Sequence, residues 1–512
     1  MKKVLAILIL LAAMLIGCGS QNTPDGASDD DALVIAITRD ENTLTPFTYV
    51  TGTPGLEVMR LVFDSLFTFD VDGSAIPWMV DEYTICAENR VYTMTLHTGQ
   101  YWHDGTPLTA DDVLFTFEYA LTQTRARWRG IASQVESVVV SDGGVITLTL
   151  YRGNPDFLRS GLADMPIVAR HIFENVYNAS MYGGPTIGSS LFRLSEYRIG
   201  QYYVLEAVPN YFRGEPTVSR INMPIITDPA AVSQALISGQ ISAATRSISP
   251  ETFSVFRAID GLAIISGRGY SPTMLLFNCE HEILSNGAIR RAIGGAIDIE
   301  AIMNLVTLGY ATPGQLQPIF CPDEIFAVLA EFDFDIDADG RWLHDGEPIN
   351  FRLLVQSGNV QRIRAAELIG EYLAAVGVGI TVVAMESDTV GSLVWPDFDV
   401  SQGRDFDMTM WGWSAATRLD PAFFVRVGAS DPEIGDLNLS GFRSEDFDDR
   451  VREFLLSYQG NDRGMQVSLE VHAPFITLWY EDLNFAVNTG HHDGWILQQG
   501  TGIINRFSFL QG

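Results

Sequence analysis

The chain reads as an α/β protein built in two lobes joined by a hinge. Three observations predict this. Residues 92–121 spell a strand, a tight turn and a capped helix in direct succession. Strand-like and helix-like segments then follow one another along the rest of the chain. A chain of 512 residues is too long for a single hydrophobic core.

The first segment is Met1-Lys2-Lys3, an apolar run from Val4 to Ile16, then Gly17-Cys18. It resembles a bacterial lipoprotein signal peptide (1–17), with an apolar run too short to serve comfortably as a stop-transfer helix. That resemblance implies cleavage before Cys18 and a diacylglyceryl thioether on its sulfur. Two acyl chains suffice for stable anchoring at about 0.8 kcal/mol per buried CH₂. Residues 18–31, small, polar and acidic after the cysteine, read as a flexible tether. Removing 17 residues from 512 leaves 495, with apolar content for two cores.

The formal charge is −31, and losing Lys2 and Lys3 makes it −33. This acidity excludes nucleic acid as a partner and, apart from the lipid tether, an anionic membrane surface. Beyond Cys18 the cysteines are Cys86, Cys279 and Cys321. A Cys279–Cys321 bridge with one leftover thiol, or three buried free thiols, both fit an oxidising compartment. No zinc-type spacing of Cys and His is present, so no metal and no cofactor is expected.

In chain order, Ala32–Thr51 reads as a buried strand followed by a polar loop with Phe47 and Tyr49, and Glu57–Asp70 as a helix. A hairpin turn falls at Asp72-Gly73. After the alternating Tyr92, Met94 and Leu96, His103-Asp104-Gly105-Thr106-Pro107 is turn chemistry, with Gly105 free to take positive φ. Thr109 and Asp112 form a capping box, and Val113, Leu114, Phe117 and Leu121 recur on one helical face. Thr227–Ala244 gives a helix ended by Gly239, then a strand. Ser271–Asn278 reads as a strand crossing between lobes. Ile289, Ala292, Ile293, Ala296 and Ile297 stand at helical spacing. A further helix stops near Gly377 before a strand, and Met408–Trp411 alternates as a strand.

Several of these runs resemble one family. "QYWHDGTPLTADDVLFTFEYA" (100–120) is similar to the "F-H-D-G-x-P-(L/F)-T-A-x-D-V-x-F-(S/T)-F" signature of the family 5 extracellular solute-binding proteins, the peptide- and nickel-binding receptors of ABC importers. Residues 191–221, 286–313, 405–424 and 473–487 resemble other family runs in the family's order, so the resemblance covers about residues 32 to 490. It implies the two-lobed periplasmic-binding-protein fold (type II, large cluster). Lobe I is then 32–270, with 480–512 returning to it, and lobe II is 271–479. Two crossing strands make the hinge.

The implied function is a lipid-anchored receptor on the outer face of the cytoplasmic membrane. It would be a monomer that captures an oligopeptide or similar small solute for ABC permease subunits. A surface sensor or adhesin using the same fold is the alternative. An extracellular hydrolase lacks a G-x-S-x-G elbow or other nucleophile motif. The expected ligand-binding residues are Trp411, Trp413, Arg418 and Asp420 from lobe II with Phe47 and Tyr49 from lobe I. Aromatic walls suit varied cargo, and Gly412 permits close backbone approach. Peptide-binding members carry an Asp shortly after the Gly-Trp pair to meet the ligand's α-amine; here Ala415 and Ala416 stand there, with Arg418 nearby. The "G-T-G-P-Y" run is also altered, to Ile187-Gly188-Ser189-Ser190-Leu191-Phe192.

Two clusters read as structural. Asp333, Asp335, Asp337, Asp339 and Gly340 suggest a calcium loop, but its ninth and twelfth positions are Leu343 and Gly346, so an acidic hairpin turn fits better. His491-His492-Asp493 in a Gly-rich loop reads as a solvated turn.

Overall fold

The computed structural model describes residues 32–40, 45–47, 53–86, 89–123, 128–154, 156–332, 334–413, 421–456 and 463–510. The helix at the signature begins where its cap requires. Asp112 Oδ2 accepts from Thr109 N at 2.9 Å, and the helix runs Ala110–Thr122. Gly105 holds φ +86° in the preceding turn. The buried helical face is Val113, Thr116, Phe117 and Ala120; Leu121, expected on it, is exposed because the face turns away by the last turn. Asp112 Oδ1 also accepts from Arg170 N at 2.9 Å, so the capping carboxylate ties a second segment to the helix.

The expected helix over Glu57–Asp70 is only half helical. Helix spans Thr53–Val62, and Phe67–Phe69 pairs antiparallel with Ala75–Pro77 around Asp72-Gly73, where Gly73 has φ +83°. Asp64 breaks the helix because its polar groups are claimed from elsewhere. Its N–H donates to Ser189 Oγ, and its carboxylate accepts from Trp78 and Tyr211 and pairs with Arg506 at 3.2 Å. The altered 187–192 run lies against this helix end. Ser189 N and Ser190 N donate to Val62 O at 3.1 and 3.0 Å, answering a C-terminal helix carbonyl.

A five-stranded sheet places Leu33–Ala36 between Ala243–Ala244 and Arg220–Pro224, both parallel to it; Tyr202–Ala207 and Phe192–Arg198 then follow antiparallel. An antiparallel four-stranded sheet (Val80–Cys86, Val91–Leu96, Ile146–Leu150, Val135–Val140) shares its core. That core also takes in Phe485, Val487, Ile503, Ile504 and Phe509 from the chain's last segment.

A six-stranded mixed sheet carries the other main core, in the order Ala311–Pro313, Phe475–Glu481, Pro272–Phe277, Met408–Gly412, Asn350–Gln356 and Gly379–Met385. Both its faces are covered. Leu275, Phe277, Met408 and Met410 point to one apolar cluster, and Met274 and Leu276 to the other, the period of two that a strand dictates. The helix Val360–Ala375, capped by Asn359 and closed where Gly377 takes φ +83°, lies on the first face.

Against the first core, Leu262–Gly267 pairs antiparallel with Leu483–Asn488. The chain leaves the first core there, enters the six-stranded sheet at Pro272, and returns after Glu481. The backbones run so close at this crossing that a Cβ on Gly269 would collide with Glu481 O.

Cys86, Cys279 and Cys321 are free thiols, which corrects the Cys279–Cys321 bridge; Cys86 and Cys321 are exposed, which corrects the expectation that all three are buried. Cys279 packs on the Met274/Leu276 side of the sheet. Cys321 N–H donates to Gly295 O of the helix Gly287–Gly295, whose apolar residues belong to the opposite cluster. The acidic run forms the expected turn, with Asp337 accepting from Asp339 N and Arg341 N; Asp333 lies outside the described residues. The histidine pair is less solvated than expected. His491 Nδ1 meets Ser242 Oγ at 2.9 Å, and His492 stacks on Phe509.

Candidate functional site

The carboxyl ends of the parallel strands Asn350–Gln356 and Met408–Gly412 lie at one edge of the six-stranded sheet. Ligands of open α/β sheets bind outside such edges. Pro272–Phe277 begins at this edge and Phe475–Glu481 ends at it, because both of the neighbouring pairings are antiparallel: Thr273 faces Gly412, and Pro272 faces Tyr480. The edge that can take a ligand is therefore also the edge where both connections cross to the other core.

Trp411 and Trp413 stand here, half-buried, with ring centroids 6.1 Å apart. Trp413 meets Trp395 edge-on at 5.6 Å and Phe423 at 6.5 Å, and Trp395 meets Phe398 at 5.2 Å. Phe398 is 69% exposed, so the aromatic group reaches solvent. The indole N–H groups of Trp411 and Trp395 are enclosed without an acceptor among the described residues. An enclosed donor without a partner costs about 1–3 kcal/mol, which makes such donors natural points for a ligand acceptor.

Gly412 does permit a close approach, and what approaches is Arg362. A Cβ at 412 would collide with the Arg362 guanidinium and lie 2.8 Å from Pro272 O. Arg362 Nη2 reaches Thr273 Oγ1 at 3.4 Å, and Thr273 Oγ1 donates to Glu481 Oε1 at 3.1 Å. Burial lowers the Arg362 pKa, opposed by the nearby Glu481 charge. The next residue along the crossing, Asp482, is pushed up by burial, opposed by Arg268. Sequence reasoning did not find Arg362. The helix pattern around it was legible, but not that its first turn lies under Gly412, 50 residues farther on.

Of the other expected residues, only Phe47 falls among the described ones, and it stands apart from these. Phe47 is buried in the first core, its ring against Tyr119 at 5.2 Å and Phe173 at 6.0 Å, so it is a packing residue rather than an open wall. Tyr49, Arg418 and Asp420 lie outside the described residues, as does Cys18. Among the described residues no helix is long and apolar enough to cross a membrane.

Comparison with known proteins agrees with this architecture. Residues 74–433 match the family described as bacterial extracellular solute-binding proteins, family 5 Middle. The oligopeptide-binding protein AppA of Bacillus subtilis is 25% identical over 448 residues, 81% of each chain. Two solved structures share the fold. NikZ from Campylobacter jejuni, in complex with Ni(L-His), has a TM-score of 0.77 at 23% identity over 90% of this chain and 94% of its own. The ABC transporter substrate-binding protein CtaP from Listeria monocytogenes has 0.80 at 21% over 95% and 99%. A two-core α/β fold with paired crossings and an aromatic edge, matched over most of its length, makes this chain a member of the family 5 extracellular solute-binding proteins, a solute-binding component of an ABC importer rather than an enzyme.

Proposed function

We propose that the chain is a lipid-anchored receptor, tethered through Cys18 outside the cytoplasmic membrane, that closes two lobes over a peptide or related small solute and presents it to a permease. The lobes are 32–270 with 480–512, and 271–479. One observation carries the reading: the aromatic edge built by Trp411, Gly412 and Trp413 coincides with the edge where both connections cross. A ligand seated there touches the pivot, so closure around it adds contacts that the open state lacks. Binding the closed state better shifts the open–closed equilibrium by that difference in affinity. Trp411 and Trp413 form the lobe II wall, with Arg418 and Asp420 on the segment that follows. Tyr49, two residues after the buried Phe47 in sequence, is proposed as the lobe I contributor.

A peptide ligand is supported by the relative named as an oligopeptide-binding protein and by a solved structure of AppA in complex with a nonapeptide. The test is native mass spectrometry of the mature chain as purified and after mild unfolding and refolding. A co-purified peptide mass that disappears on refolding is the expected result. A bound mass of another chemical class would overturn the peptide assignment. Scattering of the same two samples should show a smaller radius of gyration with ligand; identical radii would overturn closure.

A further inference from the structure

The hairpin of Trp342–His344 with Glu347–Pro348 turns at Asp345-Gly346, whose φ values of +50° and +82° are both left-handed. An Asp-Gly pair favours this two-residue turn, and it sets His344 and Asp345 side by side at the tip. The hairpin is firmly mounted. Trp342 is buried, its indole N–H donating to Val376 O and its backbone N–H to Gly377 O, both at 3.0 Å. The His344 ring lies 5.4 Å from Phe334. A second segment meets the tip. Glu282 stands between His281, whose Nδ1 accepts from Ile283 N and Leu284 N, and the buried pair Ile283 and Leu284. Its backbone is therefore held, while its side chain is 77% exposed and free to turn. One nitrogen of His344 and one oxygen each of Glu282 and Asp345 come within 4.8 Å of one another, with His344 Nε2 at 4.0 Å from Glu282 Oε1.

Elsewhere in the chain, exposed carboxylates are answered by arginine: Asp337 by Arg341, Asp405 by Arg352, Asp436 by Arg426 and Glu280 by Arg404. Among the described residues no arginine pairs with Glu282 or Asp345, and theirs is the one group in which three side chains of metal-ligating type converge. Two carboxylates held close without a counter-cation repel each other, and a cation between them reverses the sign. One imidazole nitrogen with two carboxylate oxygens is a donor set for zinc and its first-row neighbours, whereas magnesium and calcium take oxygen ligands. With metal–ligand bonds of about 2.0–2.2 Å, tetrahedral ligands stand roughly 3.4 Å apart, and rotation of the exposed Glu282 closes the remaining gap.

The place of this cluster in the fold separates it from the candidate ligand wall. Phe277, at the end of Pro272–Phe277, faces Met408, at the start of Met408–Gly412, so the segment carrying Glu282 leaves the sheet at the edge opposite Trp411. The hairpin leads directly into the start of Asn350–Gln356, which runs parallel to Met408–Gly412, and so lies at that same far edge. We propose that Glu282, His344 and Asp345 form a surface site for a divalent transition-metal ion of the zinc class, with water in its remaining positions. The ion would clip the hairpin to the loop that precedes the helix Gly287–Gly295. The site does not depend on the receptor reading. It departs from the expectation of no metal, which rested on short Cys and His spacings, because Glu282 precedes His344 by 62 residues.

The test uses the mature chain from Gly19, carrying Cys86→Ser and Cys321→Ser to remove the exposed thiols and stripped of metal by chelation. This parent is titrated calorimetrically with Zn²⁺ and with Mg²⁺, beside His344→Ala and Glu282→Gln made in the same background. The parent is expected to bind one equivalent of Zn²⁺ at micromolar concentration and to bind Mg²⁺ at least about a hundredfold more weakly. H344A and E282Q should each weaken Zn²⁺ binding by about tenfold or more. Melting gives a second readout. Zn²⁺ at about a hundredfold excess over its Kd should raise the melting temperature of the parent by about 2 °C and leave H344A unmoved. Glu282 is exposed enough that E282Q keeps the fold and the test decisive should H344A not fold. No zinc binding by the parent, unchanged zinc binding in either variant, or Mg²⁺ bound as tightly as Zn²⁺ overturns the proposal.

Discussion

Glu57 is 1% exposed, and both its carboxylate oxygens lack a hydrogen bond among the described residues. Burial raises its pKa well above the usual 4.5, with Arg60 opposing. The folded state therefore holds a proton that the unfolded chain releases near pH 4.5. Stability from this group is full below that pH and is lost as pH rises toward the folded value. Glu57→Gln should be more stable than wild type at pH 7 and equal to it near pH 4, read from urea midpoints at the two pH values. A constant difference across that range would show that Glu57 is not the titrating group. Gly412→Ala is a steric counterpart. The new Cβ meets the Arg362 guanidinium and Pro272 O, and overpacking of this kind costs about 1–3 kcal/mol. An unchanged denaturation midpoint would show that Arg362 swings aside freely.

Among the elements, the Ala110–Thr122 helix shows how one residue can serve two segments. Asp112 caps the helix through Thr109 N and holds Arg170 N of the segment packed beside it. Asp112→Ala removes both acceptors and should destabilise by about 1–3 kcal/mol. Hydrogen exchange should then quicken at residues 109–113 and 170–173 together. Faster exchange confined to the helix start would limit Asp112 to capping. This helix was legible because turn, cap and apolar face agree locally. The Glu57–Asp70 segment was misread because its apolar residues permit a helix throughout. What ends the helix is Asp64, whose partners Trp78, Ser189, Tyr211 and Arg506 are distant in sequence.

For the whole molecule, the paired crossings at 267–272 and 481–483 are the only route by which the described chain passes between the two main cores. In the closure proposed above, movement at these crossings is what a ligand at the Trp411 edge would bias. The double variant Trp411→Ala, Trp413→Ala should abolish ligand-induced compaction in solution scattering and weaken binding of the co-purified ligand. Each aromatic contributes about 1–3 kcal/mol at such a wall. Unchanged affinity in the double variant would remove these residues from the site.

The sequence by itself determined what depends on neighbours along the chain: the capped helix after the His103–Pro107 turn, the Asp72-Gly73 hairpin, the Gly239 and Gly377 stops, and the family signature. It also pointed to Trp411-Gly412-Trp413 as a candidate ligand wall at the end of a strand, since strand alternation and a glycine are local signals. Only the tertiary structure decided which groups meet there. Arg362 and Gly412 are joined by sheet register and helix placement, Cys279 and Cys321 stay unbridged, and Phe47 is drawn into a core by Tyr119 and Phe173. Periodicity fixes which face a residue is on, whereas the contacts across faces depend on packing that no local pattern encodes.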